Sequence, residues 1–71
     1  MTVMWEAKAA EGRTDDLVAY VLHHADPQAQ VYRNALRVVV IDPTDRGVSD
    51  VPAELVDRPP HLWRFDAVPR A

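Results

Sequence analysis

Seventy-one residues, no cysteine and a net charge of −3 describe one domain near the lower size limit for folding unaided, without a disulfide framework or a thiolate metal site to staple it. Seven arginines scattered along the chain, with the acidic balance, argue against a nucleic-acid partner, and their excess over the single lysine, with abundant Ala, Val and Asp, points to a high-GC bacterial genome. The apolar runs are far shorter than the roughly 20 residues that cross a bilayer, and the first residues lack the basic flank and apolar core of a secretory signal, so a soluble cytoplasmic protein with no membrane contact is expected.

Thr2 to Lys8 alternates, with Val3, Trp5 and Ala7 opposed to Met4, Glu6 and Lys8, which predicts a strand. Gly12 breaks it. Thr14 before Asp15 and Asp16 is a hydroxyl cap with acids at the positive end of a helix dipole. Leu17, Val18, Val21, Leu22 and Ala25 then recur as one apolar helical stripe, which Asp26-Pro27 ends. Gln28 to Arg33 predicts a second strand. Asn34-Ala35 predicts a tight turn, asparagine tolerating the positive φ that two-residue hairpins require.

Leu36 to Asp42 is the most informative stretch. Neighbours on a strand point to opposite faces, so Val38 and Val40 face one way, Val39 and Ile41 the other, and neither side is polar. A sheet with helices on one side covers only one of those faces, and the other calls for a partner. Asp42 to Gly47 is a loop by composition. Asp50 to Val56 fits a short helix with proline in its first turn, stopped by Arg58-Pro59-Pro60. His61 to Val68 predicts a last strand, with Leu62, Arg64, Asp66 and Val68 opposed to His61, Trp63, Phe65 and Ala67.

The order strand, helix, strand, strand, helix, strand predicts an α+β ferredoxin-like sandwich over residues 1–71: an antiparallel sheet ordered 4-1-3-2 with two helices on one face. The double-sided apolar strand then lies inside the sheet, and the face away from the helices is the expected dimer surface. With no staple in a chain this small, burial against a second copy is the common remaining source of stability.

The opening strand Val3-Met4-Trp5-Glu6-Ala7-Lys8, the Glu11-Gly12-Arg13 turn into a helix and the closing His61-Leu62-Trp63-Arg64-Phe65 resemble a compact member of the dimeric α/β-barrel superfamily, which includes the antibiotic-biosynthesis monooxygenase-like proteins. The resemblance implies two sheets packed face to face and small molecules bound between sheet and helices. It admits activities from cofactor-independent oxygenation to none.

Four residues are candidates for lining a small-molecule site. Trp5 and Trp63 lie on strands that the predicted order makes neighbours, and aromatic walls suit a small apolar ligand; the competing role is core or dimer packing. His61 is in line with Trp63 and could act as a base or haem ligand at a pocket mouth, or simply cap the sheet edge. Tyr32, on a predicted edge strand, could donate a hydrogen bond to a ligand or across a dimer. Glu6 on a central strand needs a cation, with Lys8, Arg37 and Arg64 available, or carries a raised pKa. His23 and His24 are adjacent and point about 100° apart, which suits the negative end of a helix better than a shared metal. No metal or cofactor is expected, and two glycines are too few for a glycine-rich nucleotide loop.

The residues favour a small homodimeric protein without assignable catalysis. The alternatives are a small-molecule-binding or cofactor-independent monooxygenase-like enzyme with an aromatic-lined pocket, and an accessory subunit that pairs its sheet with another protein.

Overall fold

The computed structural model describes residues 1–70. It is an α+β domain in which a four-stranded antiparallel sheet carries one helix. The elements are β1 (Thr2–Lys8), α1 (Thr14–His24), β2 (Gln30–Arg33), β3 (Arg37–Asp42) and β4 (His61–Phe65), with a single 3₁₀ turn at Ala53–Leu55 between the last two. Across the sheet the order is β2-β3-β1-β4; counted from the β4 edge the same neighbours run 4-1-3-2. Among the described residues no helix is long and apolar enough to cross a membrane.

The alternation in β1 and β3 becomes two sheet faces. Val3, Trp5 and Ala7 of β1 pair with Asp42, Val40 and Val38 of β3, and all six are buried. Leu17 and Val21 of α1 pack on them, with Val48 and Leu55 from the long β3–β4 connection. The stripe on α1 is narrower than its sequence suggests, since Val18 and Ala25 are partly buried and Leu22 is exposed. On the other face Met4, Val39 and Ile41 are half-buried, with no helix over them among the described residues.

The helix start differs from the expected hydroxyl cap. Arg13 is the N-cap and no side chain caps the helix. The Thr14 hydroxyl instead donates to the carbonyl of Ala35 at 2.9 Å, tying α1 to the β2–β3 hairpin. In that hairpin Asn34 works through its side chain rather than through a positive φ, a conformation it does not adopt. Its Oδ1 accepts the N–H groups of Leu36 and Arg37 at 2.9 and 2.7 Å, an Asx-type turn that closes the two-residue loop Ala35-Leu36.

The expected second helix over Asp50–Val56 does not form, so the two-helix sandwich is not what this chain builds. Asp50 has a φ of 58°, and Pro52 sits at ψ 132°, leaving one 3₁₀ turn. The residues that follow are captured by the sheet. The Ala10 N–H donates to the Leu55 carbonyl at 2.9 Å and the Asp57 N–H to the Lys8 carbonyl at 2.9 Å, and Ala9 and Val56 form an antiparallel bridge. Residues 55–65 thus run along β1 as one interrupted strand. The chain advances four positions from Asp57 to His61 while β1 advances two, from Lys8 to Glu6. The surplus bulges out at Arg58-Pro59-Pro60, where the prolines have no N–H to give the ladder.

The β3–β4 connection is ordered by a buried carboxylate. Asp42 accepts from the Thr44 N–H at 2.7 Å and hydroxyl at 2.5 Å, and from the Gly47 N–H at 3.0 Å. The Tyr20 hydroxyl, from α1, is shared between the carbonyls of Ser49 and Asp50 at 3.1 and 2.8 Å.

Candidate functional site

Strand register decides which residues meet on the open face. Met4 lies opposite Ile41 on one side and Trp63 on the other, and Glu6 opposite Val39 and His61. Tyr32 lies opposite Val39, and Gln30 opposite Ile41. Two cross-strand rows result, Gln30–Ile41–Met4–Trp63 and Tyr32–Val39–Glu6–His61, with Thr2 and Phe65 beyond the first. The face is apolar at the Phe65 end and charged at the Lys8 end.

Of the four sequence candidates, only His61 and Trp63 come together. Two positions apart on β4, they point the same way, and their rings stack at 5.6 Å between centroids and 12° between planes. Trp5 does not join them. It is on a neighbouring strand but on the opposite face, 2% exposed in the core, opposite Val40 and Leu62. One edge of its indole borders a shallow groove with Val48, Val51, Pro60 and Leu62. Tyr32 shares the open face but sits on the far edge strand, about 14 Å away across three strand spacings, and its hydroxyl donates to Gln30 Oε1 at 2.8 Å.

A cleft of about 180 Å³ lies at the charged end of this face, lined by Glu6, Lys8, Arg37, Arg58, His61 and Trp63. β1 supplies Glu6 and Lys8 two residues apart on one face, β3 supplies Arg37 opposite Lys8, and the proline bulge supplies Arg58. Glu6 finds its counter-charge in Arg37, Nε to Oε2 at 3.4 Å. Arg64, also considered for that role, faces the other way and donates to Asp45 at 3.1 Å. Lys8 and Arg58 both lie 3.7 Å from Asp57.

These ion pairs are looser than the tightest in the molecule and comparable to Arg46–Asp26 at 3.7 Å. Arg13–Asp16 and Arg33–Asp15 close to 2.8 Å as hydrogen bonds, whereas the pairs of Lys8, Arg37 and Arg58 stand at 3.4–3.7 Å. Three cations around two carboxylates, Glu6 and Asp57, leave an excess of positive charge. Arg58 was not among the residues singled out from sequence, because its position depends on the bulge.

Asp42 also escaped notice. Burial raises its pKa, but the hydrogen bonds from the Thr44 hydroxyl and the N–H groups of Thr44, Gly47 and Arg46 outweigh this and hold it below the usual aspartate range. All of its partners belong to its own loop, so its work is structural. His23 and His24 lie exposed at the end of α1; His24 stacks on Tyr20 at 4.0 Å, and His23 meets its edge at 4.9 Å. Among the described residues no three metal-ligating side chains converge.

Compared with family models, with curated proteins and with solved structures, the chain matches none.

Proposed function

We propose that this chain is a non-catalytic homodimerising module that lays the open face of its sheet on that of a second copy, in the manner of the dimeric α/β-barrel superfamily it resembles. The observation that supports this is the content of the face. Three of the exposed large apolar side chains, Tyr32, Trp63 and Phe65, at 54%, 44% and 52% exposure, flank the half-buried Met4, Val39 and Ile41. An apolar surface that is contiguous across four strands marks an interaction site rather than ordinary solvent exposure.

A second copy fits the surface better than an unlike partner of one charge. Glu6 stands beside Lys8 and Arg37, so the charged end carries both signs and is complementary to itself under a two-fold axis. Four strands about 4.8 Å apart and about six residues of about 3.4 Å each make a face roughly 19 by 20 Å. Two corrugated faces of that size bury on the order of 1,000 Å² together, the low end of specific interfaces, which corresponds to a dimer that dissociates on dilution.

Native mass in solution across a dilution series tests the reading. A dimer at high concentration that falls to monomer on dilution is expected. A monomer throughout overturns it.

A further inference from the structure

We propose that the cleft between Trp63 and the cations Lys8, Arg37 and Arg58 is a binding site for a small planar monocarboxylate, its ring on the Trp63–His61 stack and its carboxylate among the three cations. The cleft shares Trp63 and the charged end with the proposed dimer face, so the ligand and a second copy compete for it, and binding is expected in the monomer.

Three features of the cleft select this chemistry. Its cations are incompletely used: the ion pairs of Lys8, Arg37 and Arg58 stand at 3.4–3.7 Å, too long for hydrogen bonds, so a carboxylate can enter without first breaking a tight pair. Arg58 and Arg37 each present a planar fork suited to a carboxylate. The wall beside them is aromatic: the His61 and Trp63 rings stack on each other, 5.6 Å between centroids and 12° between planes, and a further ring can extend that stack.

Size narrows the ligand. A cleft of about 180 Å³ has room for one ring and its carboxylate. A second carboxylate would meet Glu6, which lines the same cleft. A single negative charge therefore fits better than two, and inorganic phosphate lacks the apolar body that the stack would hold.

The test is a titration of the ¹⁵N-labelled full chain with benzoate, cyclohexanecarboxylate, benzyl alcohol and inorganic phosphate, followed by amide and indole N–H shifts. Benzoate is expected to move the resonances of Trp63, His61 and Lys8 with a Kd on the order of 1 mM, ordinary for a ligand this small. The saturated ring, the uncharged alcohol and phosphate are each expected to bind at least about fivefold more weakly, since each lacks one of the two contacts. Arg58→Gln and Trp63→Leu should each weaken benzoate by about the same factor or more, with the native mass of each variant recorded in the same samples. Arg58 lies outside the apolar rows, so Arg58→Gln separates the cleft from the dimer: lost binding at unchanged mass supports the site. Benzoate that moves no cleft resonance, or that binds both variants as well as the parent chain, overturns it. So does phosphate binding as tightly as benzoate.

Discussion

Val39 and Val40 are consecutive residues on β3 that stand on opposite sides of the sheet. Val40 is fully buried and lies between Trp5 and Val31, while Val39 lies between Glu6 and Tyr32 on the face open to water. The two are chemically identical, so the same substitution at each reads out the two faces separately. Val40→Asp places an unpaired charge in the core, a cost of several kcal/mol against the few that so small a domain has, and the chain is expected to lose its cooperative thermal transition. Val39→Asp is expected to keep that transition and lose the dimer by native mass. A Val39→Asp chain that unfolds would place that residue in a core, and one that stays dimeric would move the interface elsewhere.

Asp42 makes stability depend on acid. Its folded pKa lies below the ordinary value because hydrogen bonds to the charged carboxylate outweigh the opposing effect of burial. A depressed folded pKa means that the stabilisation is fully present above the unfolded-chain value and is lost as pH falls through the folded one. In Asp42→Asn the carbonyl oxygen can still accept from Thr44, but the NH2 that replaces Oδ2 cannot accept from the Gly47 N–H, a loss of about 1–3 kcal/mol at neutral pH. Urea midpoints of parent and variant are expected to differ most near pH 7 and to converge below the carboxylate range. A gap that stayed constant with pH would mean that the charge on Asp42 is not what holds the loop.

Gly12 and Gly47 separate backbone strain from crowding. Both have positive φ, 73° and 68°, so alanine at either incurs the left-handed penalty of about 1–2 kcal/mol. A Cβ on Gly12 meets nothing within 4 Å, whereas one on Gly47 comes within 3.0 Å of Leu62 Cδ1 and within 3.5 and 3.6 Å of Val3 and Trp5. Gly47→Ala is expected to be the more destabilising, and the difference between the two variants measures how freely Leu62 moves aside. Equal losses in a denaturant series would mean that it moves at no cost.

Tyr20 fastens the β3–β4 connection to the helix through one hydroxyl. Tyr20→Phe keeps the ring and its stack on His24 but releases the carbonyls of Ser49 and Asp50. About 1 kcal/mol is expected to be lost, with faster proteolysis confined to residues 48–51. Cleavage unchanged in that segment would show the connection to be held by Val48 and Leu55 alone.

The parts of the fold that sequence reveals are those fixed by local alternation. β1 and β3 announce both their extent and their faces, and His61 and Trp63, two apart on a strand, had to share a side. What cannot be read locally is register. Whether Trp63 stands behind Trp5 or beside it turns on a single residue of slip between strands, which flips every side chain to the other face. The missing second helix has a related cause. Proline and an acid at its start are true helix signals, but few residues remain before Arg58-Pro59-Pro60 for a helix to nucleate. The backbone of Leu55 and Asp57 finds partners in Ala10 and Lys8 first. Arg58 reaches the cleft only because that pairing forces the prolines outward, so its role had no signature of its own.

The slipped alignment of residues 55–65 along β1 also divides the molecule by durability. Every residue of β4 is exposed, and the buried cluster draws its strand side chains from β1 and β3. Opening that edge therefore costs backbone hydrogen bonds and little apolar burial, which is the condition for local rather than global release. Trp63 would leave with β4 and Trp5 would stay behind. Trp63 thus reports on the edge directly, whereas Trp5 loses only its neighbour Leu62 when β4 opens and keeps its main change for global unfolding: fluorescence from Trp63 should respond to denaturant or heat before the main change of Trp5.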